Sequence, residues 1–273
     1  MKNFLAILFI SSLLFSCTEK IQLDLATLEE PFLIVDATID DRPSADIIIL
    51  NYSSNYYAGG SPEAETTAQV SVSFNDSTYT FVHLDQKPGY YISPANFLPR
   101  PNYNYILEIE AKGKSYRGES YMYPVPTIDS IGQKRLDDDI TLGGGEIEIT
   151  ISFQEPPGIR NYYLFRESVN DTFYYENLNE YGSVFDDFIL DGQYADLIPY
   201  GIFEYLIGDT IEIFAHSMDE TAYEIYNALL TESEFKGGFF DSPSNNVPSN
   251  IAGGAKGLFV AHAINSRKIV ITE

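Results

Sequence analysis

A chain of 273 residues with 16 basic and 40 acidic side chains has a formal charge of −24, which repels phosphate backbones and excludes nucleic acid as a partner. The same charge disfavours lying flat on anionic lipid. Apolar residues at 44% and aromatic residues at 14% supply a packed core and exclude a disordered chain.

The N-terminus comes first in the argument. Lys2 precedes an apolar run from Phe4 to Phe15, broken only by Ser11 and Ser12. About a dozen residues is too short to span a bilayer as a helix, which needs roughly 20, but it fits a secretory signal. Leu14-Phe15-Ser16-Cys17 reads as a lipobox, with residues 1–16 as a lipoprotein signal peptide and Cys17 as the acylated first residue of the mature chain. Cys17 is the single cysteine, so its thiol has no disulfide partner within the chain. A diacylglyceryl cysteine anchors stably where one acyl chain does not, so the membrane is an expected partner through this lipid. Residues 17–30 read as a tether that ends at Pro31.

From Pro31 onward the pattern is mainly β. Strand-like runs are expected at Phe32–Ile39, Ala45–Tyr52, Ala68–Phe74, Thr78–His83, Tyr90–Ser93, Tyr103–Ala111 and Ser115–Tyr121. In one of them Tyr105, Leu107 and Ile109 share a face opposite Ile106, Glu108 and Glu110. Seven short strands separated by turns such as Lys87-Pro88-Gly89 predict an immunoglobulin-like β-sandwich over 31–124. Pro124 and Pro126 mark a boundary. A second β-rich domain, 125–273, is expected to hold strands at Glu146–Phe153, Tyr162–Glu167, Thr172–Tyr175, Asp209–Ala215, Leu258–His262 and Lys268–Thr272. It also carries one helix near 217–231, where Ser217 and Glu220 suggest a capping box and Met218, Ala222, Ile225, Tyr226 and Leu229 form an apolar face. A transmembrane barrel fits less well, because most runs are shorter than its strands and prolines are frequent.

Motifs for chemistry are scarce. His83, His216 and His262 show no ligand spacing, and no G-x-S-x-G elbow, P-loop or H-E-x-x-H occurs. No cofactor, metal or catalytic residue is expected. Two acidic clusters, Asp137-Asp138-Asp139 and Asp186, Asp187 and Asp191, are open to calcium binding, but neither has EF-hand spacing and solvated loops are the better reading. Two aromatic doublets are candidates for ligand or partner contact: Tyr56-Tyr57, and Phe239-Phe240 between Gly237-Gly238 and Asp241. The alternative is that they plug the ends of a sandwich. The segment Gly237–Gly257, rich in glycine and asparagine, is expected either to contact a partner or to fold back onto a sheet. Asn250, near its end, is grouped with the contact candidates.

Several of these stretches together resemble the domain-of-unknown-function 4249 family of Gram-negative outer-membrane lipoproteins. They are Cys17-Thr18-Glu19-Lys20, Pro31 with Leu33-Ile34-Val35, Gly89-Tyr90-Tyr91, Val125 to Ile131, Asp191-Gly192, Gly208-Asp209-Thr210 and, most specifically, Asn250 to Phe259. Where the family usually reads Glu-Gly after Val35, this chain has Asp36-Ala37. The resemblance implies an outer-membrane location and genes that often neighbour TonB-dependent transporters, and it supplies no catalytic residue. The expectation is therefore a lipid-anchored, non-enzymatic accessory or ligand-capturing partner of such a transporter, with Glu19 pointing to surface display. A cell-surface adhesion or envelope-structural module is the alternative.

Overall fold

The computed structural model describes residues 31–54, 62–136, 146–173, 182–234 and 246–272. The fold is mainly β, with several sheets and one helix among the described residues. All seven runs expected between Pro31 and Pro124 are strands: β1 (Leu33–Asp40), β2 (Ile47–Tyr52), β3 (Gln69–Phe74), β4 (Ser77–His83), β5 (Tyr90–Ile92), β6 (Tyr103–Ala111) and β7 (Lys114–Met122). Alternation decides which side faces in. Leu33, Val35, Ala37 and Ile39 of β1 and Tyr105, Leu107, Ile109 and Ala111 of β6 point into one core, while their sequence neighbours face outward.

These strands belong to a nine-stranded sheet in the order β15-β7-β6-β3-β4-β5-β2-β1-β16, where β15 is Ile251–Ala252 and β16 is Lys256–His262. Only Val82↔Ile92 and His83↔Tyr91 join β4 to β5, so the sheet folds over at that corner and its halves enclose the core like a sandwich. Tyr105, near the start of β6, donates its hydroxyl to the Arg100 carbonyl at 2.8 Å, the tyrosine-corner contact of Greek-key sandwiches. The two ends of the sheet nearly meet, since the Ser120 hydroxyl of β7 accepts from the Ala261 amide of β16 at 3.0 Å.

The boundary at Pro124 marks where the chain leaves this sheet, but the chain later returns to it. β16 pairs in parallel with β1, from Ile34↔Lys256 to Asp40↔His262. The expected division at 124 thus leaves out two strands that the first unit takes from the C-terminal region.

The second unit has two smaller sheets. One follows the order β11-β10-β14-β17, with β12 also paired to β10; the other is β13-β9-β8. Their ranges are β8 (Ile128–Arg135), β9 (Ile147–Gln154), β10 (Tyr162–Val169), β11 (Thr172–Phe173), β12 (Gly182–Asp186), β13 (Tyr194–Phe203), β14 (Thr210–Met218) and β17 (Ile264–Val270). Ile149, Phe153, Phe165, Ile211 and Ile213 pack between them. β8, β12, β13 and the two-residue β15 are not among the strands expected from pattern. β8 is polar after Ile131, and β13 contains Pro199 and Gly201, which two register shifts absorb on a strand paired on one side only.

The helix α1 spans Glu220–Glu234, about three residues later than expected, and its cap is Asp219 rather than Ser217. The Asp219 carboxylate accepts from the Ala222 amide at 2.8 Å, satisfying a free N–H of the first turn. Ser217 is still in β14, its hydroxyl held by the Tyr123 carbonyl and the Ala263 amide, so no capping box forms. Ala222, Tyr223 and Tyr226 pack among Tyr162, Leu164 and Met218 of the second unit and Val260 of the first sheet. α1 is therefore a wedge between the two units. No helix among the described residues is long and apolar enough to cross a membrane.

Candidate functional site

Large apolar side chains reach solvent mostly in the second unit. One group sits at one end of it, on the β9–β10 and β12–β13 loops: Ile159 is 50% exposed, Phe188 75% and Ile189 72%. Buried apolar side chains stabilise a fold, so exposed ones gathered at a loop tip need another reason.

The tip is rigid because its two loops are bonded to each other. Asp191 accepts from the Gly158 amide at 2.7 Å, and the Glu155 amide donates to the Gln193 carbonyl at 3.0 Å. The Phe188 amide caps onto Asp186 at 3.1 Å. Arg160 lies over the rings of both Tyr162 and Phe188 while pairing with Asp186 at 2.7 Å. Gly192 has φ +71°, and a Cβ there would stand 2.8 Å from Pro157, so only glycine lets the loops come this close. A cavity of 220 Å³, lined by Gly158, Ile159, Arg160, Asp187, Phe188 and Asp191, opens at this end.

Beneath the tip is a buried polar layer. Glu155, Asn161 and Asp187 are 0%, 3% and 1% exposed. Tyr163 donates to Glu155 Oε1 at 2.9 Å and Asn161 Nδ2 to the same oxygen at 3.0 Å. Burial pushes the Glu155 carboxyl up to about 7; the hydrogen bonds from Tyr163 and Asn161 pull it back, and the Asp187 charge adds to the rise. Asp187 comes from an acidic cluster that reads as solvated in sequence. Its neighbours Asp186 and Asp191 do reach the surface, but Asp187 is inside.

A second concavity, of about 790 Å³, crosses the outer face of the first sheet. Ser71, Thr78, Thr80, Glu108, Glu110 and Arg117 line it, with Arg117 held by Glu119 at 2.7 Å and Glu108 at 3.4 Å. It is open, and its hydrogen-bonding groups alternate with apolar ones such as Val70, Val82 and Tyr116.

Of the residues singled out in sequence, Cys17, Tyr56, Tyr57, Phe239 and Phe240 lie outside the described residues, as does Asp137-Asp138-Asp139. Asn250 is described, and its amide is turned inward. Oδ1 accepts from the Phe259 amide at 2.9 Å, while Nδ2 donates to the Phe259 carbonyl at 2.6 Å and the Glu119 carbonyl at 3.3 Å. It bridges β16 to β7 where the sheet nearly closes. From Ile251 to Gly253 the chain folds back on β7, and a Cβ at Gly253 would lie 2.4 Å from the Ser115 carbonyl.

The structure also brings together two histidines that look scattered in sequence. The rings of His216 and His262 meet edge to face with centroids 5.2 Å apart, beside α1. Burial holds both below the ordinary histidine range. Both nitrogens of His216 lack a hydrogen-bond partner, while His262 Nδ1 contacts the Ser217 carbonyl. No group of three or more His, Cys, Asp or Glu side chains among the described residues could hold a metal ion.

Fold and site thus define a mainly β protein with a curled sheet, a second two-sheet unit and a preformed apolar tip. The model of the family described as Domain of unknown function (DUF4249) matches residues 18–268, and the chain belongs to that family. No curated protein matches it.

Proposed function

We propose that this protein is a lipid-anchored, non-enzymatic accessory of an outer-membrane TonB-dependent transporter, docked to it through the tip formed by Ile159, Phe188 and Ile189. The observation that carries this reading is that those three exposed side chains stand on two loops bonded to each other. A rigid apolar cluster loses little conformational entropy on binding, and burying it against a partner supplies the driving force. The lipobox at Cys17 and the family's association with such transporters supply the anchor and the partner class. The open concavity on the first sheet, lined by both apolar and hydrogen-bonding side chains, favours a second role, capture of a ligand for the same transporter.

Two experiments test the reading. Cys17→Ser should abolish incorporation of labelled fatty acid; label retained in the variant would rule that cysteine out. Gentle solubilisation should recover the wild-type chain with a TonB-dependent barrel. The double variant Phe188→Ala, Ile189→Ala should lose the barrel without losing its fold. Equal recovery of the barrel by both would reject the tip as the contact.

A further inference from the structure

Asn161 Nδ2 is surrounded by more acceptors than it can serve. Glu155 Oε1 lies at 3.0 Å, the Ile159 carbonyl at 3.1 Å, and the Pro156 carbonyl and Asp187 Oδ2 at 3.4 Å each. An amide nitrogen has two hydrogens, so four oxygens compete for two bonds. Glu155 Oε2 is buried with no hydrogen-bond partner at all. Two carboxyls, 0% and 1% exposed, therefore share one pocket of oxygens. The nearby guanidinium of Arg160 is half-exposed and committed to Asp186. Buried charge without a counter-charge is costly.

We propose that this cluster is a binding site for a hard divalent cation of the calcium type. The ligands are the Glu155 carboxylate, Asp187 Oδ2 and the carbonyls of Pro156 and Ile159. To join them the Asn161 amide turns over, so that Oδ1 replaces Nδ2 and the bonds Nδ2 donates to Glu155 and Ile159 give way to contacts with the cation. Every donor is oxygen, which suits calcium and does not suit zinc or copper. The 220 Å³ cavity reaches Asp187 and gives water a route to complete the six to eight oxygens that calcium takes. Only two carboxylates contribute, in keeping with the lack of any larger acidic or histidine cluster among the described residues. So few charges place the affinity in the range of extracellular modules, roughly 10⁻⁴–10⁻³ M. A cation here would also brace both loops of the tip. The inference stands whether or not the tip docks to a transporter.

The test is thermal unfolding of the full chain at pH 8, with calcium alone, magnesium alone or a chelator. Calcium at ten times its dissociation constant should raise the melting temperature by roughly 3 °C over the chelated protein, and magnesium should raise it less. Glu155→Gln keeps an oxygen for Tyr163 and removes the charge; it should fold and lose the calcium response. Asn161→Asp adds a third carboxylate and should bind calcium roughly tenfold more tightly. A wild-type protein indifferent to calcium overturns the proposal. A calcium response of equal size in Glu155→Gln overturns it too, as does an Asn161→Asp variant that binds no more tightly than the wild type.

Discussion

Glu65 in the first unit and Glu155 in the second are both buried glutamates, yet their surroundings treat them in opposite ways. Glu65 is 2% exposed, and both its oxygens are served, by the Tyr52 hydroxyl at 2.7 Å and by the Thr67 amide and hydroxyl at 2.6 and 2.7 Å. Burial pushes its carboxyl up, but these bonds outweigh burial and hold it below the ordinary range. Glu155 shares its donors with Asp187 and keeps one oxygen unpartnered, and it is driven to about 7. A charge inside a protein is settled by the donors around it, and the second unit leaves this one unsettled.

The edges of the sheets repeat the contrast. In the first unit Asn250 and Ser120 stitch β16 to β7. In the second, Asn265 and Gln133 bridge β8 to β17, with the Ile128 amide donating to Asn265 Oδ1 at 2.9 Å. The opposite flank, between β12 and β13, keeps an apolar slot of 270 Å³ over Ile151, Phe153 and Phe165. Among the described residues of the first unit, Asp46 alone keeps a buried carboxylate oxygen, Oδ2, without a partner, and burial raises that carboxyl to about 7. Slot, tip and unsettled glutamate make the second unit the side from which interaction is expected.

The largest effect should come from breaking the closed sheet. A Cβ at Gly257 would lie 1.9 Å from the Val35 carbonyl, where β16 runs beside β1. Gly257→Val should cost about 4 kcal/mol or more by denaturant unfolding. Asn250→Ala should cost roughly 2 kcal/mol, because it strands the Phe259 amide and carbonyl in a half-buried seam. If Asn250→Ala is neutral, the seam is not what closes the sheet.

A medium effect concerns pH. The folded state keeps the Glu155 proton up to about 7, while the unfolded chain releases it near 4.5. Its contribution is thus full below pH 4.5 and lost as pH rises to 7. Glu167, raised to about 7 by burial against a single Tyr205 bond, has the same sign. The buried histidines act oppositely, since protonation is resisted in the fold and stability falls as pH drops below 6.5. Glu155→Gln should flatten the decline between pH 4.5 and 7 in melting temperature measured with chelator present. An unchanged slope would show that Glu155 is as well served as Glu65.

The smallest effect is expected at the tip. Phe188→Ala with Ile189→Ala removes side chains about three-quarters exposed, so the melting temperature should move by no more than about 1 °C. A fall of several degrees would mean that these residues serve the fold.

Much of the first unit is legible from local pattern, because each strand shows its inner face by alternation, as Tyr105, Leu107 and Ile109 do. The parallel partnership of β1 with β16 is not, since nothing near Val35 points to Gly257. The helix is legible from its apolar spacing, but its cap is not, because Ser217 looks like a cap until the sheet is seen to hold its hydroxyl. At the candidate site, Asp187 stands out in sequence as one member of an acidic cluster that reads as solvated. Its meaning depends on Glu155 and Asn161, which a separate loop supplies. Asn250 stood out in sequence, and the fold gives it the work of a seam.

The central claim is that the second unit's tip meets the transporter, and cross-linking tests it most directly. A photo-reactive residue would replace Ile189 in one strain and Thr80, in the first-sheet concavity, in another, with both irradiated in intact cells. The account predicts a covalent adduct with a TonB-dependent barrel from position 189. An adduct from position 80 with none from 189 would contradict it.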